Sequence, residues 1–154
     1  MIEINNRTRS SIDKTFLRKV AQKVLKGEGK DAIGVSIAFV GEKRAAELNK
    51  KYRKKDTVAN VLSFPFGKES ILSGVEGSGV EGYLGEIVLC PQQIRKEAPQ
   101  YGMIFEQALA WMCIHGLLHL LGYNHNRVQD AKHMERQEQK YLSRIKNFYT
   151  LLYT

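Results

Sequence analysis

The spacing of hydrophobic positions changes several times along the chain, and each change predicts an element. Ile2 and Ile4 alternate with Glu3 and Asn5, the period of a short half-buried strand. From residue 14 the period lengthens to that of a helix. Phe16, Leu17, Val20, Ala21, Val24 and Leu25 fall on one face, with Lys14, Arg18, Lys19 and Lys23 on the other. Ser10 followed by Asp13 is the start signal, and Gly27 with Gly29 the stop. Residues 32–40 return to alternation, with Ile33, Val35, Ile37 and Phe39 on one side of a β-branched strand. Ala45, Leu48 and Tyr52 then recur at helical spacing, in a helix that runs out into Lys50–Asp56.

Asn60–Phe64 reads as a strand closed by Pro65. Residues 67–82 hold five of the 13 glycines and little apolar periodicity, which predicts a loop or flap. Tyr83–Cys90 is the last strand, and Pro91 is placed to open a short helix. Between Ala108 and Leu121 the chain is apolar nearly all round, the mark of a buried helix. A final helix carries Val128, Ala131, Met134, Tyr141, Leu142, Ile145 and Phe148 on its inner side. With no internal repeat and no long linker, residues 1–154 form one α+β domain. It consists of a small mixed sheet of about four strands packed with about five helices, one of them central and buried.

Composition narrows the setting. Charged residues at 26% and hydrophobic residues at 43% describe an ordinary globular chain. The net charge of +8, from 24 Lys+Arg against 16 Asp+Glu, points to a polyanionic partner. Cys90 and Cys113 sit in apolar runs without paired or metal-binding spacing, and read as buried free thiols in a reducing compartment. No cleavable signal precedes the first strand, and the most apolar helix is too short to span a bilayer. The expected setting is cytoplasmic and off the membrane, and the chain is expected to be a monomer.

The buried helix carries the candidate chemistry. Three of the four histidines lie between residues 115 and 125. His115 and His119 are four apart, one turn above each other on a helix face. Gly122 can end that helix in the left-handed conformation, so that the chain folds back and brings His125 to the same point. A lone histidine on an apolar helix is ordinarily a core residue with one hydrogen bond. Three converging imidazoles with no obvious fourth ligand describe instead an open zinc site, one ion per chain, able to activate water. The metzincin protease pattern matches at His115, His119, Gly122 and His125, but Gly116 stands where its general-base glutamate belongs. Gly116 also predicts that a substrate or another backbone approaches the helix closely. Met134, at helical spacing with Ala131, is a core residue and not a methionine turn.

Arg53 lies in a six-residue run of which five are Lys or Arg. Lys50, Lys51, Lys54 and Lys55 read as a solvated helix end favoured by the dipole. Arg53 reads equally as part of that end or as a phosphate clamp able to stabilise charge in phosphoryl transfer.

The stretch His115-Gly116-x-Leu118-His119-Leu120-x-Gly122-Tyr123-x-His125 resembles the signature of the YbeY family, metal-dependent endoribonucleases that process ribosomal RNA. Asn49-x-x-Tyr52-Arg53-x-Lys55-Asp56, Val61-Leu62-Ser63-Phe64-Pro65 and Leu84-Gly85-Glu86-Ile87 resemble its other blocks, so the similarity runs from about residue 30 to about residue 140. The resemblance implies zinc held by His115, His119 and His125, and an Arg53 important for RNA cleavage. It further implies single-strand-specific hydrolysis in maturation of the small-subunit ribosomal RNA 3′ end and in ribosome quality control, with RNA and ribosomal subunits as partners. Two positions depart from the pattern. Asn60 and Asn124 stand where the family usually has Asp, which keeps a capping acceptor but removes a charge. Metal affinity is then expected to be lower, and neither position can act as a base. Glu86 could help, although an exposed strand glutamate is the plainer reading. The alternative to a nuclease is a ribosome-associated RNA-binding factor with a mainly structural metal and weak catalysis.

Overall fold

The computed structural model describes residues 1–65 and 82–153, with 146–153 as helix backbone only. The glycine-rich stretch expected to form a flap lies, apart from Gly82, outside the described residues, as does the side chain of Phe148. In chain order the elements are β1 (Ile2–Asn6), α1 (Lys14–Gly27), β2 (Gly34–Phe39), α2 (Glu42–Arg53), β3 (Val61–Pro65), β4 (Tyr83–Leu89), α3 (Pro91–Glu97), α4 (Phe105–Leu120) and α5 (Val128–Tyr153). A 3-10 turn at Ala98–Tyr101 joins α3 to α4.

The four strands form one mixed sheet in the order β1-β2-β4-β3. β1 and β4 flank β2 in parallel, with Ile4 opposite Ile37 and Ile37 opposite Ile87. β3 runs antiparallel to β4 and forms an edge, Val61 facing Leu89 and Ser63 facing Ile87. Val35, Ile37, Phe39, Val61, Ile87 and Leu89 point to one face, where α1 and α4 cover them with α5 packed behind. Val40, Leu62, Val88 and Cys90 point to the other, under Ala45 and Leu48 of α2. Every residue of β2 is therefore buried, including Ser36, whereas alternation had suggested a strand with one covered face. A central parallel strand is covered on both sides, and small residues such as Ser36 and Ala38 fill the second.

Three local expectations change. The cap of α1 is Asp13 itself, whose Oδ1 accepts the Phe16 N–H at 3.0 Å, and not Ser10. Val128 is 72% exposed, because the first turn of α5 projects beyond the core before Met134 enters it. Glu86 is 5% exposed rather than solvent-facing. Both thiols are buried and free, and burial pushes Cys113 up to about 12. Among the described residues no single helix is long and apolar enough to cross a membrane.

Candidate metal centre

Helix α4 is apolar on nearly every side because it packs against α1, α3, α5 and the sheet together. His115 and His119 are among its half-exposed positions, one turn apart and facing a cleft. After Leu120 the chain reverses. Gly122 takes φ +102, the Gly122 N–H reaches the His119 carbonyl at 3.1 Å, and the Tyr123 N–H reaches that of Leu118 at 3.0 Å. The positive φ is what requires glycine there. The reversed segment is then fastened. Tyr123 Oη donates to Glu28 Oε1 and Tyr141 Oη to Glu28 Oε2, each at 2.6 Å, so the end of α1 grips both the loop and α5. Asn124 Oδ1 accepts the Asn126 N–H at 3.0 Å, the capping role expected to survive loss of the carboxylate. His125 arrives beside the other two rings.

Ligand atoms of His115, His119 and His125 all lie within 4.8 Å of one another. The Nε2 atoms of His115 and His119 are 3.1 Å apart. Two nitrogens on a tetrahedral zinc stand about 3.3 Å apart, from bond lengths of about 2.0–2.1 Å. The helical pair thus already has the spacing of a chelate, and the triad could hold a metal ion. Burial and the neighbouring His115 and His125 push His119 down to about 4, so near neutral pH its lone pair is free to ligate.

A buried carboxylate stands behind the triad. Glu138 Oε1 is 2.5 Å from His115 Nδ1, and Trp111 Nε1 donates to Glu138 Oε2 at 3.0 Å. Burial opposes ionisation of Glu138, but these two hydrogen bonds and the nearby imidazoles outweigh it and hold its pKa below the usual carboxylate range. With Nδ1–H donated to Glu138, His115 presents a bare Nε2 to the centre. Sequence reasoning missed this residue. Its signal was a glutamate in the inner stripe of α5, between Met134 and Tyr141, where an apolar side chain is expected.

Arg53, the last residue of α2, is exposed and lines a cleft of about 480 Å³ together with Tyr52, Asn60 and residues 61–65 of β3, and with His115 and His119. The clamp candidate and two of the three histidines therefore share one opening, and His125 borders another. A second cleft, about 430 Å³, lies on the far side of His115 between α4 and α5, beside Trp111, His125 and Glu138. Asn60 borders both. Its Oδ1 accepts the Val61 N–H at 2.7 Å and its Nδ2 donates to Glu97 at 2.9 Å, a bond that an aspartate could not make.

Gly116 faces the sheet, as its small size had suggested. A Cβ there would lie 3.0 Å from Ile87 Cγ2 and 3.2 Å from Ser63 Oγ, and Ser63 Oγ donates to the Gly116 carbonyl at 3.1 Å. The close neighbour is β3 and β4, not a substrate. Since Ile87 faces α4, Glu86 points to the opposite side of the sheet, so the suggested help from Glu86 at the triad is ruled out.

This geometry has close counterparts. A family model described as Endoribonuclease YbeY matches residues 3–146. The chain belongs to the YbeY family of endoribonucleases. It is accordingly a hydrolase of RNA phosphodiester bonds. It is 37% identical over 141 residues to the Endoribonuclease YbeY of Vesicomyosocius okutanii, covering 92% of each chain. It is 34% identical over 134 residues to that of Staphylococcus carnosus, covering 86% of this chain and 82% of the relative. In structure it resembles the solution structure of TM1509 from Thermotoga maritima, with a TM-score of 0.68 and 27% identity over 99% of this chain and 94% of that one. The α+β single domain with its four-stranded mixed sheet and five helices is the architecture that likeness supports.

Proposed function

We propose that this chain is a zinc-dependent, single-strand-specific endoribonuclease acting on ribosomal RNA, in 3′-end maturation of the small-subunit RNA and in ribosome quality control. It would work as a cytoplasmic monomer on ribosomal particles. The observation that carries the reading is the shared cleft, which Arg53 lines together with His115 and His119, two of the three imidazoles whose ligand atoms lie within 4.8 Å of one another. Three neutral nitrogen donors suit zinc and leave room for a further ligand. Residues 1–154 would then be one metallohydrolase domain, with His115, His119 and His125 as the ligands.

A zinc ion held there supplies Lewis acidity toward water and toward a phosphoryl oxygen. The protein's residues do the rest. Glu138 holds the proton on His115 Nδ1 and so keeps Nε2 directed inward. His119, pushed down to about 4, stays uncharged at working pH. Arg53 sits where a phosphate entering the cleft meets it, and its fork can pair two phosphoryl oxygens as negative charge builds on them. The excess of +8 draws the polyanion in from solution.

The test is cleavage of a single-stranded ribosomal RNA fragment by zinc-loaded wild type, chelator-treated protein and Arg53→Ala, with metal content and circular dichroism recorded on each. Activity should vanish on chelation and fall by roughly two to three orders of magnitude in Arg53→Ala, the cost of removing one charge-stabilising donor, while the fold persists. Full activity without metal would overturn the proposal.

A further inference from the structure

The cleft beside the triad contains an aromatic surface that the phosphate chemistry leaves unused. Tyr52 is 39% exposed, although it shares the helical spacing of the buried Ala45 and Leu48. It adjoins Arg53 at the end of α2, and its ring stands edge-on to that of Phe64 on β3, with centroids 5.2 Å apart at 74°. That end of α2 is held firmly. Lys54 adopts φ 56, its N–H bonding back to the last turn, and the buried Asn49 donates to the Thr57 carbonyl at 2.9 Å, pinning the loop that follows. An aromatic ring fixed in position and left open to water is suited to receiving another flat surface. The neighbouring cation and the exposed edge of β3 suggest what that surface belongs to.

We infer that Tyr52, braced by Phe64, is a stacking platform for one unpaired nucleobase of the substrate, adjacent to the phosphate that Arg53 and the triad address. The inference rests on the ribonuclease reading above and deepens it by naming a base subsite. Stacking needs a base free of its partner, so the platform favours single strands over duplex and is indifferent to which base it receives. Lys51, whose Nζ lies 5.2 Å from the Tyr52 ring centre, is an exposed side chain that a base can displace toward the flanking phosphate.

The experiment compares wild type, Tyr52→Leu and Tyr52→Phe. Affinity is measured on chelator-treated protein by fluorescence anisotropy, and cleavage on zinc-loaded protein. The probes are a single-stranded ribosomal RNA fragment, its duplex, and the same strand with abasic substitutions at each position flanking the cleavage point mapped with wild type. Tyr52→Leu should bind the single strand roughly tenfold more weakly with no matching loss on duplex, and Tyr52→Phe should rescue most of that loss. One abasic position should weaken wild type by a similar factor and cost Tyr52→Leu nothing more. Single-strand affinity unchanged in Tyr52→Leu, or every abasic penalty persisting in it, would overturn the platform while leaving cleavage intact. Absence of cleavage in zinc-loaded wild type would instead defeat the ribonuclease reading, and the affinities of wild type, Tyr52→Leu and Tyr52→Phe for the intact single strand and its duplex would still decide whether a base binds at Tyr52.

Discussion

Replacing Glu138 by glutamine keeps the shape of the side chain and changes what its two oxygens can do. The carboxylate accepts from His115 Nδ1 at 2.5 Å and from Trp111 Nε1 at 3.0 Å. An amide accepts through one atom and donates through the other, so only one of these bonds can survive. If the amide donates to His115, the imidazole proton moves to Nε2 and occupies the lone pair proposed to bind the metal. If it donates toward Trp111, two N–H groups confront each other. The side chain is 8% exposed, so solvent does little to relieve either arrangement. Loss of a hydrogen bond to a buried charge costs about 1.5–3 kcal/mol, which for a chain of this size lowers the melting temperature of metal-free protein by roughly 3–10 °C. Misorientation of a metal-binding histidine should weaken zinc binding by about 10–100-fold, or about 1.4–2.8 kcal/mol. The assay is competition with a chromogenic chelator of known zinc affinity, alongside thermal unfolding of the metal-free form. A long-range nitrogen–proton NMR spectrum should show His115 protonated on Nδ1 in wild type and altered in the variant. Zinc affinity within twofold of wild type, with the His115 tautomer unchanged, would refute the reasoning.

Two further outcomes follow from the packing and the charges. Gly116→Ala places a methyl 3.0–3.3 Å from Ile87, Ser63 and Val61, so the gain in helix propensity of about 1 kcal/mol should be outweighed by an overpacking cost of about 1–3 kcal/mol; denaturant unfolding should show net destabilisation together with weaker zinc binding as α4 shifts from β3. In metal-free protein, folded His119 takes up its proton only near pH 4 while the unfolded residue does so near 6.5. Between those values the unfolded state binds more protons, so stability should fall as pH is lowered from 7 toward 4, by about 1–2 kcal/mol for a half-buried ring after solvent screening. A His119→Asn variant should lose that part of the slope, measurable as melting temperature against pH.

Much of the centre could be read from residue order because its parts are local. His115, His119, Gly122 and His125 meet through one helical turn and one reversal, so spacing alone brings them together. Arg53 was equally a helix end or a clamp in sequence, and only the antiparallel seating of β3 at the sheet edge puts it in the histidine cleft. Glu138 was missed for the opposite reason. Its place in the inner stripe of α5 was the one local sign, and its partners lie 23 and 27 residues away. Glu86 and Val128 were misplaced because a period predicts which residues share a face but not whether that face is covered. At Glu86 the second face of the sheet is closed, and at Val128 the helix has not yet reached the core.

The grip of Glu28 on Tyr123 and Tyr141 has a consequence for how the proposed ion would be exchanged. In zinc fingers the ion and the fold arrive together, and chelation returns the chain to coil. Here the loop that delivers the third imidazole is tied to α1 and α5 by two phenolic hydrogen bonds in which no ligand takes part. If the triad holds an ion as proposed, emptying it would leave that tether closed, and the chain would wait as an assembled receptor instead of an unfolded one. Occupancy would then track the free concentration of the ion, and the supply of metal would act as a reversible throttle on the enzyme.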